Sequence, residues 1–139
     1  MTKFLARKDL EIIQTHDGST TLRHRQLNVT YKSLFGAATE SKWVFCNQLQ
    51  SHPSPWIVLE LGFGGGINFQ TTAQCAIKNN VPLQYHTIDH QPIPFSLISG
   101  DDLPSIMAQE ALQKCRIQTQ PTPITITKGC IELTLYPMP

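Results

Sequence analysis

The sequence predicts an α/β fold, and three observations carry that prediction. An apolar, β-rich run (Trp56, Ile57, Val58, Leu59) ends in Glu60 and runs into Gly62, Gly64, Gly65 and Gly66. A segment of helical character follows, Ile67 to Asn79. An alternating run from Leu83 to Ile88 then closes on Asp89. Strand, glycine turn, helix, strand is the order of a β-α-β unit with a phosphate-loop type of turn. Glycines let the backbone turn tightly and approach a ligand. The helix N-terminus behind them offers free N–H groups and a partial positive charge.

The remaining elements follow in chain order. Asp9 to Thr15 predicts a short strand carrying Leu10, Ile12 and Ile13. His16-Asp17-Gly18-Ser19 is a turn signal. Thr20 to Tyr31 predicts one or two short strands, with Leu22, Leu27, Val29 and Tyr31 as apolar positions. Arg23, His24 and Arg25 form the one dense basic cluster, read either as a solvated strand end or as an RNA backbone contact. Gly36 to Gln50 predicts a helix with Ala37, Ala38, Trp43, Val44 and Cys46 as its apolar positions. Ser51 to Pro55 ends it as a linker. In the helix behind the glycines, Phe69, Ala73, Ala76 and Ile77 have the spacing to face a sheet. Asn79-Asn80 and Pro82 stop it. Leu103 to Ile117 predicts a further helix, with Asp102 as N-cap and Pro104 in its first turn. Two alternating segments around Lys128-Gly129 predict a terminal hairpin.

Length and composition narrow the function classes. The 139 residues suit one domain of ordinary size. A net charge of +1 leaves no electrostatic footprint for nucleic acid. No apolar run approaches the length of a membrane span, and the N-terminal stretch is too charged for a signal peptide. A cytoplasmic protein with no membrane contact is expected. Cys46, Cys75, Cys115 and Cys130 are scattered and form no C-x-x-C pair, so buried free thiols are expected rather than a disulfide framework. His86 and His90 lack a third ligand nearby, so no metal is expected.

The spacing of the glycines discriminates between ligands. The dinucleotide fingerprint G-x-G-x-x-G fails, because the sixth position is Ile67 counting from Gly62 and Phe69 counting from Gly64. A P-loop fails for want of a Gly-Lys-Ser/Thr. What fits is E-x-G-x-G-x-G: Glu60, Gly62, Gly64 and Gly66. This resembles motif I of the S-adenosylmethionine (SAM) methyltransferases, in which the acidic residue lies near the methionine end of the cofactor. An ordinary glycine-rich turn is the alternative. Asp89 lies roughly twenty residues past the last glycine, where an acid at the tip of the second strand accepts hydrogen bonds from ribose hydroxyls. A turn residue before His90-Gln91-Pro92 is the other reading.

Several blocks together resemble one family, the MnmC-like methyltransferase domain. They are Asp17-Gly18-Ser19 with Thr21-Leu22; Tyr31 to Phe45, with Tyr31, Ser33, Gly36, Glu40, Ser41, Val44 and Phe45 in matching places; Glu60 to Phe69; Tyr85 to Ile93; and the terminal hairpin. Phe63 and Asn68 go beyond what generic motif I requires. Gly65 stands where the family usually has Thr, and Asp89 where it usually has Glu. The resemblance implies a partial Rossmann-like SAM methyltransferase fold with an N-terminal β-rich extension. Residues 1–50 would be the family's N-terminal strands and helix, and 51–139 the front half of the SAM-binding domain. It implies N-methylation of 5-aminomethyl-2-thiouridine at the tRNA wobble position, with tRNA as partner. Glu60, Gly62, Phe63, Gly64, Gly66, Asn68 and Asp89 would hold the cofactor. Tyr31, Ser33 and Glu40 would lie on the substrate side, and no catalytic residue is assigned. Bifunctional relatives add a flavin-dependent oxidase domain, but no flavin is implied here. The family domain continues past Pro139 into an aspartate-containing motif near the transfer site. A truncated member is therefore expected, completed by another chain or surviving as a non-catalytic Rossmann-like remnant or interaction module.

Overall fold

The computed structural model describes residues 9–32, 36–90 and 92–138. Its N-terminal sheet is built by a tight turn. β1 (Leu10–Gln14) and β2 (Thr20–His24) pair antiparallel, with Leu10 opposite His24 and Gln14 opposite Thr20. β3 (Val29–Thr30) adds to the other edge of β2. Leu22 is buried as expected, but Leu27 and Val29 are exposed. The two-residue β3 is an edge strand, and among the described residues no further strand pairs with it, so alternation there selects no buried face.

The turn between β1 and β2 also starts the next helix. Asp17 accepts hydrogen bonds from the Ser19 N–H and the Thr15, Ser19 and Thr39 hydroxyls. Three N–H groups at the start of α1 (Ala37–Ser41) bond to this turn: Ala37 to Thr15 Oγ1, Ala38 to Ser19 Oγ, Thr39 to Asp17 Oδ2. The helix is thus capped from the tertiary neighbour and not from its own N-cap, Gly36. A Cβ at Gly36 would come within 2.6 Å of Asp17 Oδ2, which explains the glycine.

The helix predicted over 36–50 forms with mixed winding: α1, a π turn (Lys42–Cys46) and α2 (Asn47–Leu49). The wider turn shifts the helical phase. Ala37, Ser41 and Cys46 are buried, whereas Trp43 (66% exposed) and Val44 point outward, against expectation. Cys46 forms a disulfide with Cys75, with Cα atoms 6.1 Å apart. This corrects the expectation of free thiols for these two; Cys115 and Cys130 form no disulfide, and Cys130 is exposed where burial was expected. The pairing depends on the π turn packing beside α3, which sequence spacing does not record.

The second sheet has strand order β4-β5-β7-β6. β4 (Trp56–Leu61), β5 (Leu83–Asp89) and β7 (Ile131–Pro137) run parallel. β6 (Ile124–Lys128) joins β7 antiparallel through the predicted hairpin. α3 (Ile67–Lys78) and α4 (Leu103–Ile117) cover one face. Phe69, Thr72, Ala73 and Ala76 form the buried line of α3, and Ile77, expected inward, is half exposed. Phe69 meets Tyr85 edge-on at 5.2 Å between ring centroids. Asp102 caps α4 through the Ser105 N–H at 2.9 Å, as predicted. On the other face, Ile57, Leu59 and Leu61 of β4 are 64%, 67% and 80% exposed. Parallel strands normally have helices over both faces; among the described residues this face of β4 has none.

Two outcomes follow from these contacts. Hydrogen bonds from Ser19, and then from Thr39, hold the Asp17 carboxyl well below the usual carboxylate range. A lowered pKa contributes stability above the ordinary carboxylate range and loses it as pH falls. Asp17→Ala should therefore cost about 1 kcal/mol at neutral pH, with the gap to wild type narrowing in melts at about pH 2. Thiol titration of the unfolded, unreduced protein should find two reactive thiols, and four after reduction.

Candidate cofactor cleft

The site begins where β4 stops. The Gly62 N–H still bonds to the Ile88 carbonyl at 2.7 Å, and the Gly66 N–H closes the loop on the Phe63 carbonyl at 2.9 Å. Gly62, Gly64 and Gly66 all have left-handed φ values, 89°, 55° and 74°. An L side chain is strained at each of them. Phe63 turns inward, is buried, and packs toward Phe69. Cβ positions at Gly62 and Gly65 meet nothing within 4 Å, so the loop backbone is open to a ligand. At Gly64 a Cβ would sit 3.2 Å from the Tyr31 ring, so Tyr31 lies against the loop.

Asp89 braces the same loop. One of its oxygens, Oδ2, accepts from the Phe63 N–H at 3.0 Å and the Gly64 N–H at 3.1 Å. The carboxylate is buried at the tip of β5. Burial, and then the Asp89 charge, raise the pKa of Tyr31. Tyr31 is therefore a neutral phenol at physiological pH, able to donate a hydrogen bond.

A cleft of about 550 Å³ opens between this loop and the N-terminal sheet. That is within the usual range for small-molecule sites. Gly62, Phe63, Gly64, Gly65 and Asn68 line one side of it. Ile12, Gly18, Ser19, Thr20, Thr21, Leu22, Tyr31 and Lys32 line the hairpin side, and Ala38, Leu61, Ile67, Gln70, Thr71, Gln74, Leu97, Ile98 and Ser99 complete it. Of the residues expected from the sequence, Gly62, Phe63, Gly64, Asn68 and Tyr31 are thus brought together. Glu60, Gly66, Asp89 and Glu40 are not among the lining residues. Gly66 starts α3 and packs on the Phe63 ring; Glu40 faces Lys32 at 3.8 Å. Ser33 lies outside the described residues.

Glu60 acts through a buried polar chain. Asn68 Nδ2 donates to Glu60 Oε2 at 2.6 Å, and Ser41 Oγ donates to Asn68 Oδ1 at 2.6 Å. Thr87 Oγ1 donates to Glu60 Oε1 at 3.2 Å. The Tyr85 hydroxyl is directed at the same carboxylate but falls short of bonding geometry. Burial raises the Glu60 pKa, and the Asn68 hydrogen bond is the first of the contacts that oppose it. Asn68 is the member of this chain that lines the cleft. Glu60 thus orients Asn68, and Asn68 presents the amide.

The basic cluster does not form a free cationic patch. Arg23 and Arg25 both bond to Glu11, at 2.6 and 3.2 Å, and His24 is buried with its Nδ1 accepting from the Leu27 N–H. Among the described residues, no group of three or more His, Cys, Asp or Glu is placed to hold a metal ion. Of the hairpin wall the sequence singled out Tyr31 but not Ile12, Thr20 or Lys32, because their approach to the loop is a long-range contact. The turn block Asp17-Gly18-Ser19 was the nearest pointer to that wall.

Removing the Asn68 amide tests the chain. Asn68→Ala should cost about 2 kcal/mol at neutral pH, because Glu60 loses a charge-assisted bond while buried. The loss should shrink as pH falls through the raised pKa of folded Glu60, above the ordinary carboxylate range, because protonation there removes the charge that the amide serves. Equal losses at pH 7 and in acid melts would exclude this role.

No protein-family model matches this sequence, and no curated protein is significantly similar to it. Its backbone is similar to the crystal structure of MnmC2 from Aquifex aeolicus, with a TM-score of 0.61 and 21% sequence identity. The match covers 94% of this chain and 42% of that one, so the chain spans less than half the length of the matched structure. At this identity the likeness establishes a Rossmann-like α/β fold, shared with MnmC2 over the part that this chain spans.

Proposed function

We propose that the cleft binds SAM and that the chain is a methyltransferase-like protein of MnmC type. The observation that carries this reading is the open glycine loop, braced by Asp89 and facing a cleft of nucleoside-cofactor size. The residues fit the group. Gly62 and Gly65 leave room for close approach, Asn68 at the start of α3 offers an amide to the cleft, and Asp89 at the tip of β5 holds the loop from behind. The structural likeness to MnmC2 supports the same reading. Here Glu60 is a positioning residue behind Asn68 rather than a direct ligand contact.

The substrate proposed is the primary amine of 5-aminomethyl-2-thiouridine in the tRNA wobble position, as the family resemblance implies. Bound SAM would supply an electrophilic sulfonium methyl for transfer to that amine. The chain's part is to hold the amine in line and keep it neutral. Tyr31, a neutral phenol against Gly64, is placed to donate a hydrogen bond at the cleft wall. Among the described residues lining the cleft there is no carboxylate, and the proton of the product ammonium would pass to water.

A second reading has its own support. Ile57, Leu59 and Leu61 of β4 are exposed among the described residues, and the matched structure is more than twice as long. On that reading a further polypeptide completes the sheet, and the chain alone is a binding or interaction module without turnover. Calorimetry with SAM, and methyl transfer to tRNA bearing the aminomethyl base, separates the two. SAM binding that Gly64→Asp abolishes, in a chain still folded by circular dichroism, supports the cofactor cleft; the strained φ and the Tyr31 contact predict that loss. Binding without transfer favours the module. A folded wild type that binds no SAM ends the cofactor reading.

A further inference from the structure

Within the cleft just described, we propose that Lys32 is the anchor for a ligand carboxylate, and so the residue that selects a ligand with an amino-acid end. The inference rests on the SAM reading and sharpens it.

Among the described residues that line the cleft, Lys32 is the one charged side chain. The rest of the lining is backbone, hydroxyl, amide or apolar. Its side chain is only 17% exposed, although lysine ordinarily keeps its ammonium in water. Its recorded ion-pair partner, Glu40 Oε1, stands 3.8 Å away, near the limit of an ion pair and beyond hydrogen-bond range. An ammonium carries three donors, and one loose contact leaves capacity for a closer acceptor. A neutral cleft with one withdrawn cation favours a ligand with one anionic group. In SAM and in its demethylated product, S-adenosylhomocysteine, that group is the α-carboxylate.

The position along the fold agrees. Lys32 follows Tyr31, which rests on Gly64, and its charge reaches Glu60 at the end of β4. Asn68, which Glu60 orients, and Lys32 line the same cleft, so the cation would meet a carboxylate near that amide. Asn68 and Lys32 together would present an amide and an ammonium to it.

The test compares two ligands that differ by the amino-acid portion. S-Adenosylhomocysteine carries the carboxylate, whereas 5′-methylthioadenosine keeps the nucleoside and lacks it. Calorimetry on wild type and Lys32→Met should show S-adenosylhomocysteine weakened by roughly tenfold or more in the variant. Methylthioadenosine affinity should stay within about twofold. Lys32→Arg, which keeps the charge, should retain most of the wild-type preference. If Lys32→Met weakens both ligands equally, or neither, the carboxylate role is overturned while the cleft stands. If folded wild type binds neither ligand, the SAM reading fails and the anchor with it.

Discussion

The structure depends on one buried carboxylate holding a glycine loop. Asp89 Oδ2 accepts the N–H groups of Phe63 and Gly64, which the left-handed loop leaves without a ladder partner. Buried backbone donors must be satisfied, and a charged acceptor does this better than a neutral one. The bond ties the tip of β5 to the end of β4. With the loop held, Phe63 can turn into the core beside Phe69, and α3 starts directly beneath Gly66. The floor of the cleft is therefore a consequence of the sheet and not a separate, mobile element.

A second constraint joins the N-terminal segment to this frame. The β1–β2 turn presents Thr15, Asp17 and Ser19 to the first N–H groups of α1. α1 in turn sends Ser41 to Asn68, and Asn68 reaches Glu60. This route runs from an exposed turn to the end of β4 through polar contacts alone. Leu22 and Cys46 meanwhile share the hydrophobic cluster of the sheet and α3. The hairpin wall is thus placed against the loop by capping bonds at one end and apolar packing at the other. That pairing creates the cleft, since neither the loop nor the hairpin is concave by itself.

Much of this was legible in the sequence. The elements over 56–89, the capped helix over 103–117 and the terminal hairpin all declare themselves locally, through periodicity, Asp102 and Lys128-Gly129. Other expectations failed for long-range reasons. Trp43 and Val44 have helical spacing, but a π turn rotates them to solvent. Cys46 and Cys75 look unrelated until the two helices lie side by side. Ile77 fits the apolar stripe of α3, yet Thr72 fills the buried line by returning its hydroxyl to the Asn68 carbonyl at 2.7 Å.

The sequence by itself determined the type and order of the elements and the identity of the glycine loop. Those follow from side-chain period and from backbone conformations that glycine alone adopts without strain. The tertiary structure decided which polar groups meet. Whether Glu60 faces a ligand or a neighbouring amide, what Asp89 binds and whether Lys32 enters a cleft all depend on contacts between residues far apart in the chain. A local pattern cannot encode them, because the same acid at a strand end can satisfy a ligand, a backbone or a side chain. The partner is chosen by what the packing brings within about 3 Å.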